Sequence, residues 1–395
     1  MLIKRQEGYL LENIKDTAYL LPYGQKVADQ KKAVTLNETA VVLWNLLESP
    51  RTKEELVQEL MKIYCSSDDA SISCDELKSD VNYFIKELTM LGILKESCFV
   101  QPANAPTGYL HIANMNIALY CDSKLISEEF GSFYTKEALS HLQGIDQTIE
   151  ISALPPTARP NGEILIRNPE LIISSSSECF LVMFPSMKSI REAHMSPDGR
   201  YVKIYVRGID ENASLELFLA MRLFILFIAQ KKGFFAIHSA SLKYKDKAWL
   251  FSGHSGMGKS THTSLWKELF DTPILNGDLN LIGKAEDGSL KVYGIPWCGT
   301  SKIAQNSSWS LGGIVLLGRS ETDHFEDLDE KEKIIRIMQR MISPVWTQNM
   351  LQMNLDCAKK IASDVFVYHL LCTKNPSAAR FMKQKIDDDL KGVRP

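Results

Sequence analysis

No two cysteines in this chain stand three residues apart, and no cysteine–histidine cluster has zinc-ligand spacing, although eight cysteines are present. A zinc ribbon and a Cys-x-x-Cys redox motif are thereby excluded, and the thiols are expected in cores and loops. An excess of one charge is also missing. Lys and Arg number 45 against 48 Asp and Glu, for a net charge of -3. Such a balance offers no general field to nucleic acid or an anionic membrane, so neither is an expected partner and any nucleotide site must be local. The first seven residues, Met1-Leu2-Ile3-Lys4-Arg5-Gln6-Glu7, hold no apolar signal core. The longest apolar stretch, 217–229, is broken by Arg222 and is too short to span a bilayer. A buried helix and a cytoplasmic location are the expectations. Internal repeats and low-complexity tracts are absent too. What remains is ordinary globular composition, 45% hydrophobic and 24% charged over 395 residues, enough for two or three domains with their own cores.

Residues 17–34 alternate short apolar pieces with turn and charged residues and predict a small hairpin. Three helices are expected after it. The first is N-capped by Asn37, carries Val41, Leu43, Trp44 and Leu47, and stops at Ser49-Pro50. The second opens on Thr52-Lys53-Glu54-Glu55 at capping-box spacing and buries Leu56, Leu60 and Ile63. In the third, Leu77, Val81, Phe84, Ile85 and Leu88 form one stripe that ends at Gly92.

Val34-Thr35-Leu36-Asn37-Glu38-Thr39-Ala40 and Arg51-Thr52-Lys53-Glu54-Glu55-Leu56 carry a resemblance. Residues from about 17 to 95 look like the PqqD family of winged-helix-like modules, which recognise the leader peptides of ribosomally made, post-translationally modified peptides. The resemblance implies that a leader adds as a strand to an exposed edge of the hairpin. A generic winged helix is the plainer reading of the same residues.

Residues 98–107, with Pro102 and Pro106, predict a linker between a first domain at 1–97 and a second at 108–395. The second divides by composition into a β-rich part, 108–233, and a core, 234–395. Strand composition appears at 115–120, 163–166, 171–173, 179–184 and 201–206, and Asp198-Gly199 suggests a hairpin. A helix over about 214–230 leads to an apolar strand ending at His238, then to a strand at 247–251.

That strand enters Gly253-His254-Ser255-Gly256-Met257-Gly258-Lys259-Ser260. The pattern Gly-x-x-x-x-Gly-Lys-Ser is the phosphate-binding loop. Small residues let consecutive N–H groups wrap phosphates, and the following helix N-terminus adds positive potential. Lys259 supplies the cation for β and γ phosphates, Ser260 a hydroxyl for Mg²⁺, and Gly253, Ser255, Gly256, Met257, Gly258 and Thr261 the cradle. The expected cofactors are ATP or another nucleoside triphosphate and Mg²⁺. His254 and His262, in and after the loop, are expected at the surface, since the loop acts through its backbone.

Phosphoryl transfer also needs a carboxylate near the metal or the attacking hydroxyl. Asp278, closing a short apolar run, is the candidate; a turn Asp after Asn276-Gly277 is the plainer alternative. His238 precedes Lys259 by 21 residues and by itself reads as a core histidine or a proton-handling group. Ile237-His238, the loop and the Asp segment occur in the order and spacing of the HPr kinase/phosphorylase family, which residues 234–300 resemble. The resemblance implies a fold related to phosphoenolpyruvate carboxykinase, with His238 assisting the acceptor and Asp278 as metal ligand or general base. The family carries two adjacent Asp residues where this chain has Gly277-Asp278, and its HPr-binding signature is not recognisable here. In its place stands Tyr293-Gly294-Ile295-Pro296-Trp297-Cys298-Gly299-Thr300-Ser301-Lys302, resembling a loop of kinase-like relatives that act with peptide-modification enzymes. Gly and Pro predict a loop in which Lys302 meets a phosphate and Trp297 packs on a base or peptide, or else is core.

The expected fold class is mixed α/β with several domains: an N-terminal winged-helix-like PqqD module and a C-terminal HPr kinase-like mixed sheet with a phosphate loop. The leading functional expectation is an ATP-dependent kinase that phosphorylates Ser or Thr of a precursor peptide held by its leader. Two alternatives stand beside it. One is a nucleotide-hydrolysing or regulatory part of a maturation complex with other peptide-modifying enzymes, and the other a kinase of a small molecule or carrier protein. A homo-oligomer is left open.

Overall fold

The computed structural model describes residues 2–48, 51–64, 74–97, 99, 102, 104–137, 144–156, 159–160, 162, 163–176, 179–254 and 256–392. The chain divides into two compact units, Met1–Gln101 and Pro102–Pro395.

In the first unit, Tyr9–Ile14, Thr17–Pro22 and Val34–Leu36 form one antiparallel sheet. A second sheet places Leu2–Arg5 between Arg51–Thr52 and Leu94–Ser97. The hairpin therefore lies earlier than the sequence predicts. Its strands are 9–14 and 17–22, turning at Lys15 with a positive φ, and 25–28 is a short helix. The half-exposed Leu10 and Ile14 blur the alternation that would have marked the first strand.

Helix Glu38–Leu46 starts where Asn37 accepts from the Ala40 N–H at 2.8 Å, an N-cap satisfying one otherwise unpaired amide. Ser49 and Pro50, its predicted stop, and the Thr52 side chain of the predicted capping box lie outside the described residues. Helix Lys53–Tyr64 buries Leu56 and Leu60, but Ile63 is half exposed; one residue at helical spacing falls past the edge of the apolar stripe. Helix Cys74–Met90 buries its whole predicted stripe. At its end Gly92 takes φ 70°, Ile93 N–H donates to Leu88 O, and Gly92 N–H to Thr89 O. This is a Schellman closure, for which a glycine at that position is the unstrained choice. The three helices and small sheets share one core around Leu20, Leu43, Trp44, Leu56, Leu60 and Phe84.

The second unit opens with a nine-stranded mixed sheet. Strands expected at 115–120, 163–166, 171–173, 179–184 and 201–206 are present within two residues of those bounds, joined by unforeseen strands at Gly108–Ile112, Gln147–Ser152 and Ile190–Met195. The Asp198-Gly199 hairpin joins Ile190–Met195 to Tyr201–Val206, with Gly199 at φ 78°. Helix Ala213–Lys231 packs its apolar side into the same core as this sheet. Among the described residues it is the one helix long and apolar enough to cross a bilayer, and most of it is buried within the unit.

The rest of the unit is built on a ring of strands. Lys247–Ser252 pairs antiparallel with Phe235–Tyr244 and parallel with Ser308–Arg319. Phe235–Tyr244 pairs with Leu279–Lys284, that strand with Leu290–Gly294, and that with Ser308–Arg319, closing the circuit. Phe366–Cys372 extends it in parallel. Both faces of Lys247–Ser252 are covered, which is why it reads as an unbroken apolar run. Ala248 and Leu250 face a core shared with helices Glu330–Met338 and Gln348–Asp364. Trp249 and Phe251 face one shared with helices Lys259–Phe270 and Pro376–Gly392.

Candidate functional site

The chain turns out of Lys247–Ser252 through residues 253–258 directly into helix Lys259–Phe270. Gly256 and Gly258 take φ of 77° and 97°, a region a β-carbon disfavours. A β-carbon on Gly253 would stand 3.1 Å from Met257 Cβ and 3.3 Å from Leu317 O, so close packing fixes that glycine. Gly258 caps the helix without a side-chain hydrogen bond, which leaves first-turn N–H groups open to an anion. Lys259 is buried, and its ammonium donates to Gly253 O at 3.4 Å. Burial lowers its pKa, Asp278 opposes that shift, and Arg340 adds to it. Ser260 and Thr261 are exposed; Ser255 lies outside the described residues.

His238 sits within the ten-residue strand Phe235–Tyr244 rather than at a strand end. The strand runs on because 239–244 pair with Lys247–Ser252 after 235–238 have paired with Leu279–Lys284. The neighbouring turn brings Asp278 to it, with His238 Nε2 and Asp278 Oδ1 2.9 Å apart. Buried Asn276 shapes that turn: its Oδ1 accepts from the N–H groups of Asp278 and Leu279 at 2.8 and 2.9 Å, and its Nδ2 donates to Ile295 O at 2.7 Å. The bond to His238 holds the Asp278 carboxyl below the usual range; burial opposes this, and the charges of His238, Lys259 and Arg222 assist.

A side chain at position 277 has no room. Its β-carbon would fall 2.0 Å from Ser301 Oγ and 2.3 Å from Ser301 Cβ. The single carboxylate thus follows from the loop that closes over it. Of 293–302, Tyr293 and Gly294 belong to strand Leu290–Gly294, so the loop proper begins later than the sequence predicts. Trp297 is 3% exposed, donates from Nε1 to Phe218 O at 3.0 Å, and packs on Phe130 and Phe218. It is a core anchor and offers no surface to a base or peptide. Burial pushes the Cys298 thiol up in pKa, away from nucleophilic use. Lys302 is exposed, in the left-handed region at φ 55°.

Three arginines join the site without a sequence signal beyond their charge. Arg319 donates to Gly256 O at 2.5 Å. Arg340 meets the exposed His254 Nδ1 at 3.1 Å, and its carbonyl accepts from His238 N–H at 2.9 Å. Arg222, which had read only as a break in an apolar run, lies in the field of Asp278. Solvent reaches its side chain, yet the surrounding protein lowers its pKa. His262 is 3% exposed, not at the surface; the helix starts at Lys259, so position 262 shares the buried stripe with Trp266. A buried ammonium, uncapped amides and a carboxylate–imidazole pair together suit holding an anion and moving a proton. No group of three potential metal-ligating side chains occurs among the described residues. Ser260 and Asp278 carry oxygen donors of the kind Mg²⁺ takes beside water and phosphate.

In the first unit, Val34–Leu36 pairs only with Thr17–Pro22 among the described strands. Beside it runs a groove of about 430 Å³ lined by Val34, Leu36, Leu43, Tyr83, Phe84 and Leu88, with Asp80 and Glu87 also along its wall.

Residues 21–94, which hold this groove, match the family model described as Coenzyme PQQ synthesis protein D (PqqD). This stretch is a PqqD-like region, and it occupies well under half of the chain. Among solved structures, the chain is similar to "TbiB1 in Complex with the TbiA(beta) Leader Peptide", at 19% identity and a TM-score of 0.19, over 25% of this chain and 99% of that one. No curated protein matches the chain.

Proposed function

We propose that the protein is a leader-dependent peptide kinase. The first unit captures a precursor through its leader, and the second transfers the γ-phosphoryl group of ATP to a Ser or Thr hydroxyl of that precursor. The observation that carries the catalytic half is the 2.9 Å contact between His238 and Asp278, in the field of Lys259 at the end of a strand–loop–helix. Ser260 and Asp278 would hold a Mg²⁺ ion, which would supply charge neutralisation when bound. Lys259 and the first-turn amides hold the phosphates, while the His238–Asp278 pair accepts the proton of the acceptor hydroxyl. That oxygen bonds to the γ-phosphorus as its bond to the β–γ bridging oxygen breaks, and ADP leaves. For the binding half, the support is the PqqD match together with the open edge of Val34–Leu36 beside an apolar groove, a geometry suited to strand addition.

Asp278→Asn is the test of roles. Transfer to the precursor should fall by at least about a hundredfold, the range of general-base removal, while ATP affinity measured by titration changes far less. Equal losses in both would argue against proton transfer through this pair. Rapid ATP hydrolysis without any peptide would favour the regulatory or hydrolytic alternative.

A further inference from the structure

A small, partly open cavity of about 20 Å³ lies beside the start of the loop helix, lined by Met257, Thr261, His262, Leu265, Arg319 and Lys374 among others. It opens at the C-terminal ends of three mutually parallel strands, Lys247–Ser252, Ser308–Arg319 and Phe366–Cys372. Ligands of α/β sheets gather at such ends. Gly258 also lines it, so it begins where the phosphate loop finishes.

His262 makes this more than a packing gap. The residue is 3% exposed, its ring stacks on Phe251 at 4.7 Å between centroids, and neither ring nitrogen has a hydrogen-bond partner among the described residues. A neutral imidazole presents one donor and one acceptor. Buried polar groups are nearly always satisfied, and one left open beside a cavity calls for a polar occupant. A partly open space of this size suits one water or one polar edge group of a larger molecule. Met257 and Leu265 offer apolar walls, and Arg319 and Lys374 add positive charge around the same space.

We infer that this cavity receives the base edge of a nucleotide whose phosphates occupy residues 253–260, with His262 hydrogen-bonding that edge. The assignment rests on the nucleotide reading above and extends it to the group that selects the base.

Calorimetric titration of the full chain with MgATP and, separately, with Mg–tripolyphosphate tests it, because the second probe has phosphates and no base. The wild-type protein should bind ATP at least about tenfold more tightly, equivalent to about one good hydrogen bond with its packing. His262→Phe keeps the stack on Phe251 and removes both nitrogens; Leu265→Trp fills the slot from its wall. Each should bring ATP affinity toward that of tripolyphosphate. Equal affinities in the wild type, or an unchanged ratio in both variants, would mean that the cavity holds water alone and would overturn the assignment. Failure of the wild-type protein to bind either probe would instead overturn the phosphate-loop reading itself.

Discussion

Position 277 shows how one small residue decides the charge of the site. With Ser301 Oγ standing 2.0 Å from where a β-carbon would be, Gly277→Asp must push the loop away or unfold its turn. Overpacking of this kind costs about 1–3 kcal/mol, so the denaturation midpoint should fall and phosphoryl transfer should not rise. A stable variant with raised activity would show that the missing second carboxylate is a deficit, not a consequence of the loop. His262 gives a pH signature. Its folded pKa of about 4 lies below the unfolded value of about 6.5, so between these values the unfolded state binds the proton first. Stability should therefore fall as pH drops through that window, by about 3 kcal/mol from this group in full. His262→Phe should flatten that part of the pH–stability curve, and an unaltered slope would contradict the buried neutral ring. Lys259 and Asp278 were legible because motif and spacing name them. His262 and Arg222 were not, since their surroundings are assembled by elements distant in sequence.

At the scale of elements, the apolar strand Lys247–Ser252 declared itself because both its faces are buried. The strands Gln147–Ser152 and Ile190–Met195 did not. Each buries polar residues: Gln147 donates to Gly199 O at 2.7 Å, and Glu192, fully buried, meets His194 at 2.9 Å and Arg159 at 2.6 Å. Alternation of apolar and polar residues, the usual strand signal, is erased where polar groups find partners inside. The loop 295–302 was legible as a loop, but the sequence left Trp297 open between contact surface and core, because its partners Phe218 and Phe130 come from other elements; the core reading is the one that holds. Trp297→Ala should cost about 3–5 kcal/mol and loosen the loop against which Asp278 rests. Gly299, whose β-carbon would lie 3.0 Å from Asp278 Cβ, marks that contact. Stability measured by chemical denaturation, with turnover measured well below the melting temperature, should drop together. A loss of stability with full turnover would separate the loop from the site.

For the molecule as a whole, each unit has an apolar core of its own; that of the first lies entirely within residues 3–94. Under the proposed function, leader binding and phosphoryl transfer would be separable properties joined by one chain, and the tie would raise the local concentration of the acceptor to about the millimolar range. The most direct test of leader-dependent phosphorylation is mass spectrometry after incubating the full chain with MgATP and its cognate precursor. One added phosphate on a Ser or Thr is expected, abolished by Lys259→Ala and reduced at least about tenfold when the leader is removed. A precursor that stays unmodified in the presence of folded, ATP-bound protein would contradict that reading.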